Sequence, residues 1–239
     1  FDLIVEGINQ MAEDLGNVET LQSDFISIVS HELKTPLAVI QNYASMLSSG
    51  SLEEDQRKEY VSTIADTARR LSGLVTNILR LNRLENQEIY PKKKKYPLGE
   101  QLRCCLLAFE EKWEEKELEV KADIEDLDLL GDEELLEIVW NNLISNAIKF
   151  TGKGGTVRVS LHPSGDFAVV QVADTGCGMD EKTGQHIFDK FYQGDTSHAQ
   201  EGNGLGLAMV RRVVDIVQGD ISVESRLGKG TVFTVRIRL

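Results

Sequence analysis

The sequence predicts an α+β chain: a helical hairpin that pairs with a second copy into a four-helix bundle, followed by an α/β sandwich. Three observations carry this. Apolar residues recur at spacings of three and four between Leu21 and Leu84, the period of an amphipathic helix. Beyond Leu98 the pattern changes, and short runs alternate apolar with charged residues, the period of a half-buried strand. Between the two lies a stretch with two prolines flanking the run Lys92-Lys93-Lys94-Lys95, which reads as a hinge.

The chain opens on Phe1 in residues that already look helical, which predicts a fragment of a longer protein. From there Leu21, Phe25, Ile28, Leu33, Leu37, Ile40, Ala44 and Leu47 keep spacings of three and four with one slip of five. The stripe stops at a Ser48-Ser49-Gly50-Ser51 turn and resumes as Val61, Ile64, Ala68, Leu71, Val75 and Ile78, ending near Leu84. Two such helices cannot enclose a core, but two hairpins side by side can, so a homodimer is expected. Asn86 to Pro97 forms the linker. A helix from Leu98 to Lys116 then precedes a strand at Leu118 to Ile124. Asp132 can cap an apolar-rich helix that runs to about Phe150. Thr156 to Leu161 and Phe167 to Ala173 read as strands around a Pro163-Ser164-Gly165 turn. A last helix, Leu205 to Val217, leads to strands at Asp220 to Ser225 and Thr231 to Leu239. Strands in hairpin-like pairs make the sheet mainly antiparallel.

Composition narrows the function. The formal net charge of −13 and a pI near 4.8 oppose attraction to nucleic acid or to an anionic membrane surface. The 3 cysteines, two of them adjacent, suit neither a disulfide framework nor a zinc site, and fit a reducing compartment. No apolar run approaches the roughly 18 to 20 residues that span a bilayer, so these residues are expected to be soluble.

Several segments carry candidate chemistry. Asn142, Asn146 and Lys149 share one polar stripe on the otherwise apolar helix beginning at Asp132. Asparagine is a poor helix former, so this pair is either two satisfied amides or a place where an amide oxygen is held toward Mg²⁺. Asp174-Thr175-Gly176-Cys177-Gly178-Met179 follows a strand. Its carboxylate can accept from an exocyclic amine such as that of adenine, although such a turn is equally an ordinary loop. Met179 to Glu201 shows little core periodicity and reads as a mobile lid. It ends in Gly202-Asn203-Gly204-Leu205-Gly206-Leu207, which runs straight into a helix whose free N–H groups suit phosphate. This run follows no strand, as a Rossmann turn would, and no Lys-Ser or Lys-Thr completes a Walker loop. The His-Arg-Asp and Asp-Phe-Gly signatures of eukaryotic-type protein kinases are also missing from the sequence.

Of the 4 histidines, His162, His186 and His198 fall in expected turns or the lid. His31 lies within the long first helix, with Glu32 next, Thr35 one turn on and Pro36 just after. A mid-helix proline costs roughly 3 kcal/mol, so either an exposed histidine sits beside an ordinary kink or the site has a use. Neutral imidazole is a competent nucleophile near neutral pH, Glu32 could take the proton from its other nitrogen, and Thr35 could orient a water.

Resemblance now makes the reading specific. Phe25-Ile26-Ser27-Ile28-Val29-Ser30-His31-Glu32-Leu33-Lys34-Thr35-Pro36-Leu37 closely resembles the phosphoacceptor box of the histidine kinases. Asn142-Leu143-Ile144-Ser145-Asn146-Ala147, Asp174 to Gly178, Phe188-Asp189-Lys190-Phe191 and Gly202 to Gly206 follow in order and resemble that family's nucleotide boxes. The resemblance implies the Bergerat ATP fold shared with gyrase and heat-shock ATPases. It implies Asn146 as the Mg²⁺ ligand, Asp174 as the adenine anchor, Asn142 and Lys149 near the phosphates, and Phe150, in place of the more frequent tyrosine, against the base. Lys190 is expected near the terminal phosphate, and Gly176, Gly178, Gly202, Gly204, Leu205 and Gly206 around the nucleotide. Cys177 departs from the residues common in its box and is given no role.

Residues 1–20, with Asn9-Gln10-Met11-Ala12-Glu13, resemble the tail of a HAMP signal-relay domain. The expected organisation is therefore 1–20 signalling helix, 21–85 dimerisation and phosphotransfer, 86–97 linker and 98–239 ATP binding. The implied activity is ATP- and Mg²⁺-dependent phosphorylation of His31, transfer to an aspartate of a response regulator, and removal of phosphate from that regulator. The parent would be a bacterial membrane receptor, with this chain as its cytoplasmic portion. Two rivals are an ATPase of the same fold without histidine transfer and a dimeric scaffold with a degenerate nucleotide site.

Overall fold

The computed structural model describes residues 2–48, 52–86, 89–194 and 202–239, with side chains from Phe25 onward. The chain divides into two compact units, Phe1–Thr76 and Asn77–Leu239.

The first unit is helical. Helix α1 (Asp2–Ser48) runs without a break through Pro36, and α2 spans Glu54–Asn86. The tail expected at 1–20 is thus continuous with the helix that carries His31, while residues 49–51 of the expected turn lie outside the described residues. Edge-to-face packing of Tyr43 on Tyr60, with ring centroids 5.0 Å apart, ties α1 to α2. Ile26, Ile28, Leu37, Met46, Val61 and Val75 remain substantially exposed. A single hairpin therefore leaves much of its apolar surface uncovered.

The second unit begins inside α2, where Leu81 and Leu84 are buried. It continues with β1 (Lys94–Pro97), α3 (Leu98–Leu107), α4 (Glu110–Glu115), β2 (Glu119–Ile124), β3 (Asp128–Gly131) and α5 (Glu133–Phe150). Then come β4 (Thr156–Ser164), β5 (Phe167–Asp174), α6 (Glu181–His186), α7 (Gly206–Ile216), β6 (Asp220–Arg226) and β7 (Gly230–Arg238). The main sheet has the order β2-β4-β5-β7-β6, with β2 and β4 parallel and every other neighbour antiparallel.

Alternation builds the core. Val157, Val159 and Leu161 on β4, Ala168, Val170 and Val172 on β5, and Phe233, Val235 and Ile237 on β7 are all buried, at every second position. Helix α5 packs against β5 and lies between α3 and α7. Its Leu136, Val139, Trp140, Leu143, Ile144, Ala147 and Ile148 are buried at helical spacing. The Trp140 indole N–H is satisfied by Gln101 Oε1 at 3.0 Å, and Gln101 Nε2 donates to the Glu133 carbonyl at 2.6 Å. The buried polar atoms of this pair thus have partners.

Several elements differ from expectation. The end of the stretch expected as linker is a strand: Lys94–Pro97 pairs antiparallel with β3, and Tyr96, directly after the lysine run, is buried. The Lys92 N–H also donates to Asp132 Oδ2 at 2.8 Å, while Asp132 Oδ1 caps α5 by accepting from the Leu135 N–H at 3.1 Å. One carboxylate therefore starts α5 and fastens the incoming chain to it. The helix expected over Leu98–Lys116 is broken at Ala108-Phe109 into α3 and α4. Strand β4 runs through Pro163 and Ser164, and Gly165 at φ 60° makes the turn. Proline is tolerated there because the pairing of β2 ends opposite Leu161. The expected lid contains the short helix α6, capped by the Asp180 side chain accepting from the Thr183 N–H at 2.7 Å; residues 195–201, His198 among them, lie outside the described residues.

Candidate functional site

In the second unit, α5 is the axis around which the expected nucleotide residues gather. Asn142, Asn146, Lys149 and Phe150 lie along it, all partly exposed on a helix whose other positions are largely core. The Asn142 amide is oriented by donating to the Ile138 carbonyl at 2.7 Å, which turns its oxygen outward from that bond. A methyl group on Gly206, the first residue of α7, would sit 2.6 Å from that oxygen. One on Gly202 would sit 2.7 Å from Lys149 Nζ. The glycine run therefore lies directly against the polar stripe of α5, so close that a side chain there would have to push Asn142 or Lys149 aside. Lys149 Nζ in turn stands 4.4 Å from the centroid of the Phe150 ring, a cation–π contact.

The strand end on β5 joins the same place. Asp174 Oδ1 accepts from the Gly176 N–H at 2.8 Å, and a methyl on Gly176 would lie 2.4 Å from the Phe150 carbonyl oxygen. Burial raises the Asp174 pKa above the ordinary carboxylate value, opposed by the backbone N–H groups of Gly176 and Thr231. Asp174 is thus a half-buried acceptor beside the end of α5.

The remaining predicted residues divide. Gly204 (φ 65°) packs on Phe191, which itself holds the unusual φ of 60° and donates its N–H to the Gly204 carbonyl at 2.9 Å. This contact keys the Lys190-Phe191 segment to the glycine run. The Leu205 side chain is fully buried, so it serves as core, while its N–H is held by Asn203 Oδ1 at 3.2 Å. A methyl on Gly178 (φ 62°) would lie 2.1 Å from the Arg226 carbonyl oxygen, which makes that glycine a chain-crossing position. Lys190 forms an ion pair with Glu85, Nζ to Oε1 at 2.7 Å.

Sequence reading missed Lys116. Its ammonium donates to the carbonyls of Ile148 at 2.9 Å, Lys149 at 2.7 Å and Thr151 at 3.1 Å, closing the carboxy-terminal end of α5 where Lys149 and Phe150 stand. Helix carbonyls without partners favour a cation there. Nothing in a lysine 32 residues earlier signals this. Lys116→Met should cost about 1–2 kcal/mol for the lost charged hydrogen bonds, lowering the melting temperature by roughly 3–6 °C, with Lys116→Arg recovering part. An unchanged melting curve by differential scanning calorimetry would refute the capping role.

As to a metal, the described residues contain no cluster of three or more His, Cys, Asp or Glu able to hold an ion. Asn146, partly exposed on the polar face of α5, presents an amide oxygen, the kind of donor a hard cation accepts.

The phosphoacceptor candidate lies in the first unit. The His31 side chain is 80% exposed, and its Nδ1 stands 3.6 Å from Glu32 Oε1. That is too long for a hydrogen bond but places the carboxylate beside Nδ1. The Thr35 hydroxyl donates to the His31 carbonyl at 3.2 Å. All three expected residues therefore share one exposed turn of α1.

An exposed histidine followed one turn later by threonine and proline, in a chain that also builds a glycine-lined cradle against an asparagine helix, defines a class. Residues 21–87 match the His Kinase A (phospho-acceptor) domain and residues 131–239 the histidine kinase-, DNA gyrase B-, and HSP90-like ATPase. Together these matches span well over half of the chain, which belongs to the histidine kinase family. Among individual relatives, the heme sensor protein HssS of Staphylococcus aureus (strain Newman) is 30% identical over 229 residues, 96% of this chain and 50% of that protein. The chain thus spans about half the length of the sequence relatives it matches. The solved structure of ShkA full-length in complex with AMPPNP superposes with a TM-score of 0.67 at 28% identity, over 87% of this chain and 44% of that one. The Acinetobacter baumannii histidine kinase AdeS (TM-score 0.71, 24% identity, 87% of this chain and 97% of that one) shares the fold. So does ThkA in complex with the response regulator protein TrrA (TM-score 0.76, 24% identity, 90% and 61%).

Proposed function

We propose that this chain is the cytoplasmic portion of a bacterial sensor histidine kinase, which phosphorylates its own His31 from ATP and passes the phosphoryl group to an aspartate of a response regulator. The observation that carries the reading is the freely exposed His31 within the phosphoacceptor match. With Nδ1 turned toward Glu32, Nε2 attacks the γ-phosphorus. The new N–P bond forms as the bond from phosphorus to the β,γ-bridging oxygen breaks, ADP leaves, and the imidazole proton passes from Nδ1 to Glu32 or water. Asn142, Lys149 and the N–H groups opening α7 hold the phosphates, Asp174 accepts from the adenine amine, and Phe150 lies against the base. Mg²⁺ held with Asn146 supplies charge neutralisation on the phosphates.

Homodimerisation belongs to the same proposal and is supported by the apolar positions of α1 and α2 left exposed in one copy. A response regulator as acceptor is supported by the TrrA complex of ThkA. Thr35 is assigned to orienting water when phosphate is removed from that regulator, a role in which its hydroxyl must turn from the His31 carbonyl. The HAMP-like resemblance of residues 1–20 supports a membrane parent. The limits 1–20 and 21–85 are proposed with it, while the expected linker 86–97 ends before β1, so the ATP-binding domain is proposed to begin at Lys94.

The test incubates the chain with γ-labelled ATP and Mg²⁺, then adds a receiver domain carrying the acceptor aspartate. The expected result is label on the chain that is lost in acid, kept in alkali, and chased to the receiver. Free labelled phosphate with no labelled protein would instead favour an ATPase.

A further inference from the structure

Helix α2 does not end in solvent. Its last turn belongs to the second unit, where Glu85 pairs with Lys190 through both carboxylate oxygens, at 2.7 Å to Oε1 and 2.8 Å to Oε2. The preceding residue is fixed as well: Arg212 Nε donates to the Leu84 carbonyl at 2.8 Å, and the Leu84 side chain is buried. Arg212 lies on α7, which the glycine run opens, and Lys190 precedes Phe191, whose backbone is keyed to Gly204 of that run. The end of α2 is therefore anchored on both sides of the segment expected to hold phosphate. Leu84 sits in the last turn of α2, where a carbonyl has no intrahelical partner, so the guanidinium contact suits a fixed helix end.

We propose that Glu85 is a positioning residue that competes with the terminal phosphate of the nucleotide for Lys190. The proposal rests on the reading above that Lys190 serves that phosphate. A carboxylate chelating the ammonium with both oxygens offers what a terminal phosphate would offer, negative oxygens at hydrogen-bond distance. Both cannot occupy the same donor face of Lys190, and Glu85 adds like-charge repulsion to any phosphate drawn there. ATP must then displace Glu85, whereas ADP, one phosphoryl group shorter, need not. Displacement releases the side-chain half of the α2 anchor and leaves the Arg212 half.

The experiment compares affinities of a non-hydrolysable β,γ-imido ATP analogue and of ADP, in Mg²⁺, by titration calorimetry. It uses the full chain, Glu85→Gln, Lys190→Ala and the double variant. Glu85→Gln should favour the triphosphate over ADP by up to about fivefold, the upper range for a partly exposed ion pair, and less at high salt. Lys190→Ala should disfavour the triphosphate relative to ADP, and in its background Glu85→Gln should change nothing. If Lys190→Ala leaves the ratio unchanged, the phosphate role of Lys190 falls and the competition falls with it. If Lys190→Ala lowers the ratio but Glu85→Gln does not raise it, the competition alone is overturned. An effect of Glu85→Gln that persists without Lys190 would replace competition by simple repulsion.

Discussion

Nucleotide affinity should fall by about one to two orders of magnitude in Asp174→Asn, the loss of roughly 1.5–3 kcal/mol expected when a charged acceptor is removed. The carboxylate has several claims on it: the Gly176 N–H at 2.8 Å, the Thr231 N–H, and in the proposed complex the adenine amine. An amide offers one oxygen, and its NH₂ must then confront at least one of those donors. Titration of the imido analogue by calorimetry measures the loss directly, and an affinity within twofold of the parent would remove Asp174 from the base site. Because burial raises the pKa of this group, binding in the parent should weaken on acidification sooner than an ordinary carboxylate would predict. The linkage to folding has the opposite sense. A pKa higher in the folded than in the unfolded state means that the folded chain binds the proton more tightly, so this group's contribution to stability falls as pH rises between the two values. In Asp174→Asn both dependences should flatten.

The candidate site was legible wherever chemistry and periodicity coincide in one segment. Asn142, Asn146 and Lys149 stand out because two poor helix formers share a face with a lysine on an apolar helix, and that face is where Gly202 and Gly206 come to lie. His31 was legible for a similar reason, since Pro36 makes its helix costly. The unread parts depend on residues far apart in sequence. Lys116 reaches carbonyls 32 to 35 residues away, and Glu85 meets a lysine 105 residues on. Neither has a local pattern, because only the closed fold brings the partners together. Strand β1 was hidden because its composition, two lysines, a tyrosine and a proline, is that of a hinge. Only pairing with β3, itself four residues long, makes it a strand. Leu205, inside the glycine run, has its side chain in the core, so only its backbone is left for the expected role.

Replacing His31 should have the largest effect of all, because it removes the atom that accepts the phosphoryl group. In His31→Gln, acid-labile label on the chain should drop to background, while affinity for the imido analogue stays within about twofold. His31 and the nucleotide residues belong to separate compact units, so the substitution removes no side chain from the nucleotide site. The fold should also tolerate the change, since the side chain is 80% exposed on a helix and glutamine is a good helix former, so the nucleotide site keeps its structure. Glu32→Gln separates acceptance from proton transfer. With the neighbouring carboxylate neutralised, label should remain acid-labile and appear at a rate roughly a hundredfold lower, the lower range for a positioned general base. A rate equal to the parent would assign the proton to water and leave Glu32 as a neighbour only. Label persisting on His31→Gln, whatever its acid stability, would move the acceptor elsewhere and end the case for His31.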